Sequence, residues 1–251
     1  MKIKSTIHHI LKPKKHKWRI FLESIYNKPG DNQKTKALKQ TNTNYKAYAR
    51  YTSVKLPPPV KLHHLSLQEA FLHIASTRVF LKNNISIRTL STLLYYSFGI
   101  RNKNEKNPNN LHRFYPSAGA KYPIETYIIV QSVTGLQKGV YHYYVREHLL
   151  ERIANELPSN LTDYFMEPFV TKAPVIIALS SIFLRTMNKY GGRGYNYALL
   201  EAGHMGQNIY LLSAHLQLSV CGVGGFYEDT LGALLCLDNE IELPIYALAI
   251  G

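Results

Sequence analysis

The sequence predicts a mixed body of helices and strands behind a basic N-terminal arm. Three observations predict it. Beyond residue 60, capped amphipathic helices alternate with short β-branched and aromatic runs. Hydrophobic residues make up 45% of the 251-residue chain, which excludes a wholly disordered protein. The net charge of +14 is also unevenly spread: residues 1–64 carry 15 basic and 2 acidic side chains, so the remainder is nearly neutral.

The elements follow in order. A helix is expected around residues 17–26, and Lys28-Pro29-Gly30-Asp31-Asn32 reads as a turn. Leu56-Pro57-Pro58-Pro59-Val60 is a stiff spacer. The predicted division is therefore an arm at 1–60, partly ordered, and a body at 61–251. Ser66 caps a helix, with Glu69 at the reciprocal position of a capping box, and Ser86 caps a second through Leu94. Residues 102–110 form a polar loop. Residues 124–130, 140–145, 174–179 and 245–250 read as strands, and 195–217 as a long helix.

Targeting and redox signals are sparse. No apolar run spans a bilayer, the first ten residues lack an apolar signal core, and Cys221 and Cys236 form no C-x-x-C pair. A cytoplasmic protein with reduced thiols is expected, with no membrane partner. The pairs His8-His9 and His63-His64 lack carboxylate neighbours, so no metal site is expected. Tyr45, Tyr48 and Tyr51, with Lys46 and Arg50, offer rings and cations for stacking on nucleic acid. No recognised binding module surrounds them, so no nucleic-acid partner is expected. The arm's charge suits docking onto an acidic partner or leader peptide.

Four segments carry chemistry. Ser76 and Arg78 place a hydroxyl and a guanidinium two residues apart, a pair that holds a phosphate or simply lies in solvent. Arg113 to Glu125 contains Tyr115-Pro116-Ser117-Ala118-Gly119-Ala120-Lys121-Tyr122-Pro123, where small residues between prolines let backbone approach a flat ligand, or form an ordinary tight loop. Lys189-Tyr190-Gly191-Gly192-Arg193-Gly194-Tyr195 runs into a helix with Glu201, His204, Gln207 and Asn208; a glycine-rich loop and a core helix is the plain alternative. Gly222-Val223-Gly224-Gly225-Phe226 offers backbone N–H groups to a ring, or is a turn.

Together these blocks resemble the SagB-type dehydrogenases, the flavin-dependent branch of the nitroreductase superfamily that includes the microcin-maturation oxidases. The resemblance spans roughly residues 56–251. It implies an α+β nitroreductase-like fold, a mixed or antiparallel sheet surrounded by helices, in an intertwined homodimer with FMN at the interface. It implies Ser76 and Arg78, with Arg113, as phosphate or ribityl contacts, and Pro116, Ser117, Ala118 and Gly119 as the loop beside the flavin. Gly224 and Gly225 become backbone contacts to the ring, Gln207 and Asn208 line the dimer seam, and Lys189 and Tyr190 form the catalytic pair.

The implied reaction oxidises peptide thiazolines or oxazolines to azoles, within a cyclodehydratase complex that matures a ribosomally made peptide. A base must remove a proton from Cα while the flavin takes hydride from Cβ. An ammonium beside a phenol favours phenolate, which suits Tyr190 with Lys189 beside it; which of the two moves the proton stays open. Two departures stand out: Ile74 and Ala75 occupy positions where the family often has paired arginines, and no late basic residue follows the last strand. The alternatives are a general NAD(P)H-dependent FMN nitro or quinone reductase, and a non-catalytic scaffold subunit.

Overall fold

The computed structural model describes residues 45–62, 66–80, 82–102, 105 and 111–251. The expected helix at 17–26, both histidine pairs and most of the 102–110 loop lie outside them.

The strands are β1 (Ser53–Lys55), β2 (Ile85–Ser86), β3 (Ile124–Val130), β4 (Val133–Thr134), β5 (Gly139–Tyr144), β6 (Leu149–Ala154), β7 (Val175–Ser181), β8 (Val220–Val223) and β9 (Leu243–Ile250). The helices are α1 (Leu67–His73), α2 (Ile87–Phe98), α3 (Leu184–Tyr190), α4 (Arg193–Leu216) and α5 (Glu228–Leu234). Seven strands form one sheet in the order β1-β6-β5-β3-β7-β9-β8, every neighbouring pair antiparallel. β2 and β4 form a separate parallel pair.

The central strands are covered on both faces, so β3 and β7 are buried along their whole length. That burial explains why their sequences run apolar instead of alternating. Ile124, Ile128 and Val130 pack under α2 and α4, against Leu90, Leu94, Ala202, Met205 and Ile209. Tyr127 and Ile129 face the opposite core with Phe165, Val170, Leu231 and Leu235. α4 has 24 residues, is about 36 Å long, and packs against β3, β9 and β8.

The predicted caps form as expected. Ser66 and Glu69 exchange hydrogen bonds of 3.1 and 2.7 Å, and Ser86 Oγ accepts from Thr89 N at 3.0 Å. The sequence reading missed β1, β2, β4, β6, β8, α3 and α5. Glu151 and Arg152 broke the apolar pattern of β6, and Gly222 of β8, with Gly224 and Gly225 just beyond it, read as a turn.

The chain joins the body before the proline spacer, not after it. β1 pairs with β6, with Val54 opposite Leu150, and Leu56 is buried in the main core. The spacer itself lies along α2, where Ser91 Oγ donates to Pro57 O and Val60 N donates to Thr92 Oγ1. Lys46 Nζ reaches Glu242 at 2.5 Å, and Tyr48 shares a hydroxyl contact with Tyr127 at 3.1 Å. These two side chains are therefore occupied in packing and do not form a free stacking surface.

Candidate active site

The turn before β3 is tightly wound. Gly119, Ala120 and Tyr122 have φ of 58°, 52° and 45°. Left-handed backbone at non-glycine residues is strained by about 1–3 kcal/mol each and concentrates at functional sites. Tyr122 N donates to Ser117 Oγ at 2.8 Å and Tyr122 Oη accepts from Arg113 N at 3.2 Å, which hold the turn in place. Arg113 was expected to reach a phosphate. Instead Arg113 is 5% exposed, and its guanidinium lies 4.6 Å from the Tyr122 ring centroid and donates to Tyr115 Oη at 2.7 Å. It fastens the loop from beneath. A cavity of about 450 Å³ opens beside the loop, lined in part by Arg101, His112, Phe114, Pro116 and Gly119.

Lys189 and Tyr190 are brought to this loop by α3. Gly191, at φ 57°, stops the helix and donates its N–H to Met187 O at 2.8 Å. A Cβ built on Gly119 would lie 2.5 Å from Tyr190 Oη and 3.0 Å from Lys189 Nζ. The Lys189 ammonium is 5.1 Å from the Tyr190 ring centroid, and Tyr197 meets that ring edge-on at 5.1 Å. An ammonium, a phenol and bare backbone thus share one small space beside a cavity.

A buried charge chain fixes α3 against the sheet. Arg185, one turn before Lys189, pairs with Glu125 Oε1 at 2.6 Å and donates to Tyr122 O at 2.9 Å. Glu125 Oε2 meets His142 Nε2 at 3.2 Å, and His142 Nδ1 meets Glu151 Oε2 at 2.7 Å. Tyr48 N completes the chain by donating to Glu151 Oε1 at 2.8 Å. Burial raises the Glu125 pKa, but Arg185 and His142 overcome it and hold the carboxyl at about 2. Burial lowers the His142 pKa, and the two carboxylates reverse that shift, so the imidazolium is favoured.

Glu201 on α4 differs. Burial pushes it up to about 8, against the pull of Ser117, Arg113 and Arg185. Neither of its oxygens has a hydrogen-bond partner among the described residues.

The remaining expected residues lie elsewhere. Ser76 bridges to Val220, and its hydroxyl meets Tyr210 Oη at 2.8 Å. Arg78 is exposed, 5.7 Å from the Phe169 ring centroid. Gly224 follows β8, exposed with open space where a side chain would stand, and Gly225 lies against Met166. Asn208 Nδ2 donates to Ser97 O and Phe114 O, and Gln207 is exposed on the same helix.

Register separates two groups of site residues. Val220 shares its end of the sheet with Ile250, Val175 and Val130, whereas the Pro116–Tyr122 loop feeds Ile124, at the end of Ser181 and Leu243. Those ends are about 20 Å apart along β3, and β8 stands about 14 Å across from it. Ser76 and Arg78 lie by the Val220 end of β8, far from the loop, whereas Gly224–Gly225 follow Val223, which is level with Ala247, Ala178 and Tyr127 and so stands across the sheet from the loop's end.

The sequence reading missed Arg185, Glu125, His142 and Glu151. A lone charge inside the apolar run 124–130 was the available signal for Glu125.

A seven-stranded antiparallel sheet packed against one long helix, with a strained small-residue loop facing a lysine–tyrosine pair, defines a nitroreductase-like α+β protein. The nitroreductase family model matches residues 75–251, and the chain belongs to that family, one of oxidoreductases that characteristically bind flavin. It is 29% identical over 192 residues to the Methanocaldococcus jannaschii protein MJ1384, covering 76% of this chain and 92% of that one. It is 30% identical over 178 residues to the microcin B17-processing protein McbC of Escherichia coli, covering 68% of this chain and 63% of McbC. The trifolitoxin-processing protein TfxB of Rhizobium leguminosarum is 29% identical over 181 residues, with 48% of its length spanned. Among solved structures, the E. coli microcin synthetase McbBCD complex with truncated pro-MccB17 matches with TM-score 0.60 and 25% identity, covering 90% of this chain and 82% of that one.

Proposed function

We propose that the protein is an FMN-dependent azoline dehydrogenase that oxidises thiazoline or oxazoline rings of a ribosomally made peptide to thiazoles or oxazoles. The observation that carries this reading is the convergence of Lys189 Nζ and Tyr190 Oη on Gly119. A simple flavin reductase has no need of such a pair. The likeness to McbC and TfxB, both named as peptide-processing proteins, supports a peptide substrate.

The residues fit a flavin. Ser76 and Arg78 present an exposed hydroxyl and guanidinium to a phosphate, and Gly224 leaves backbone open to a ring. Pro116, Ser117, Ala118 and Gly119 offer the second wall, and exposed Gln207 the seam. Bound FMN supplies the hydride acceptor, which no side chain provides. The Cα proton would pass to whichever of Tyr190 and Lys189 is deprotonated, with the other held beside it to steady the proton it receives. The strained loop fixes the distance between the ring to be oxidised and this pair.

The separation of the two groups supports a homodimer. A flavin lying along β8 of one copy would be walled by the loop, Lys189 and Tyr190 of the other. The exposed apolar residues Leu67, Phe71 and Leu72 of α1 and Leu199 and Leu200 of α4 suit burial against such a partner. A cyclodehydratase complex is the proposed wider assembly, supported by the likeness to McbBCD. The basic segment ahead of Tyr45 then suits docking onto an acidic partner or leader peptide.

The test is the double variant Lys189→Ala with Tyr190→Phe, loaded with FMN and given an azoline peptide. Loss of azole formation with FMN retained supports the assignment. Oxidation at the parent rate overturns it.

A further inference from the structure

Ser76 is a proposed phosphate contact, and its hydroxyl is already engaged from one side. Its Oγ lies 2.8 Å from Tyr210 Oη, a phenol carried on α4. The same phenol oxygen accepts from Gly222 N in β8 at 2.8 Å. The backbone fixes both neighbours: Ser76 bridges to Val220, Thr77 N donates to Val220 O at 2.8 Å, and Gly222 stands opposite Leu248. Tyr210 thus ties one rigid helix to the Ser76 segment and to the strand that leads to Gly224 and Gly225. Tyr210 is half-buried and Ser76 exposed, so the contact ends at the surface where a ligand arrives.

We infer that Tyr210 is a positioning residue that aims the Ser76 proton outward, and so makes the site prefer a phosphorylated flavin to the unphosphorylated form. A phenol oxygen both donates and accepts. The Gly222 N–H occupies one of its lone pairs, which leaves the Tyr210 proton and the other lone pair for Ser76. The oxygens of a phosphate dianion only accept, so a serine that binds one must give its own proton to it. Ser76 Oγ then accepts from Tyr210. The result is one directed chain: Gly222 N–H to Tyr210 Oη, Tyr210 O–H to Ser76 Oγ, and Ser76 O–H to the phosphate. Aligned in this way, each bond strengthens the next. Without the phenol hydroxyl the serine proton has no preferred direction. This role rests on the proposed flavin site, with its phosphate at Ser76.

The experiment titrates the full chain with FMN and with riboflavin, which has the same ring and ribityl chain but no phosphate, and follows flavin fluorescence. The variants are Tyr210→Phe, Ser76→Ala and the two combined. Tyr210→Phe is expected to weaken FMN binding roughly tenfold and riboflavin binding less than about twofold. The double variant should bind FMN no more weakly than Ser76→Ala, because the phenol acts only through the serine. A merely structural effect on β8 through Gly222 would weaken both flavins alike. Parent-like FMN affinity in Tyr210→Phe, equal losses for the two flavins, or losses that multiply in the double variant each overturn the proposal. A parent that binds neither flavin defeats the flavin reading and the Tyr210 role together. A parent that prefers FMN, beside a Tyr210→Phe variant that prefers it equally, defeats the Tyr210 role alone.

Discussion

The Tyr190 hydroxyl closes on Gly119 so tightly that a methyl group added there would stand 2.5 Å from Tyr190 Oη. Gly119 also sits at φ 58°, where a side chain is strained. Gly119→Ala should therefore push Tyr190 and Lys189 off the loop. The expected outcome is at least a roughly hundredfold loss of azoline oxidation with a stability loss of only about 1–2 kcal/mol. Steady-state kinetics beside urea unfolding reads both.

Arg185 ties α3 to Glu125 and to Tyr122 O. Arg185→Met leaves the Glu125 carboxylate buried with His142 alone on that side. A cost of about 3–5 kcal/mol is expected, because the surviving charge loses its partner. Denaturant titration checks it.

Acid should unfold the protein through the same carboxylate. The folded pKa of Glu125 is depressed from 4.5 to about 2, so its stabilisation is present above 4.5 and is lost as pH falls from 4.5 towards 2. Glu125→Gln, less stable at neutral pH, should flatten that slope. Thermal unfolding at pH 5 and pH 3 shows whether it does.

Glu201 has the opposite sign. Its folded pKa is raised from 4.5 to about 8, so the unfolded chain ionises first and stability declines as pH rises between those values. Glu201→Gln should remove this decline and be relatively more stable at pH 8 than at pH 5. A Tm series from pH 5 to 9 measures it.

Shared half-sites predict complementation. Arg78→Ala and Tyr190→Phe damage different walls of the proposed site, so each homodimer should be nearly inactive. A refolded equimolar mixture places one intact site in each mixed dimer and should recover about a quarter of parent activity. No recovery would place all the functional residues of a site in one copy.

Much of this architecture was legible because local chemistry dictated it. Ser66, Glu69 and Ser86 announced their helices through capping, and β3 and β7 through unbroken apolar runs. Other features depend on partners far along the chain. Lys46 looked like part of a free basic arm until Glu242, 196 residues later, accounted for it. Glu151 spoiled the strand pattern of β6 because its partner, His142, lies on the adjacent strand. β8 read as a turn because Gly222 leaves room for Tyr246, whose hydroxyl a Cβ there would meet. The site blocks were readable as short motifs, but Arg113 misled: its neighbours Tyr115 and Tyr122 enclose it.

Azoline oxidation is tested most directly by weighing a synthetic azoline peptide after incubation with the FMN-loaded protein. The expected result is loss of two hydrogens per ring, abolished by Lys189→Ala with Tyr190→Phe. An unchanged peptide mass, in a protein whose bound flavin is rapidly bleached by NAD(P)H, would contradict it.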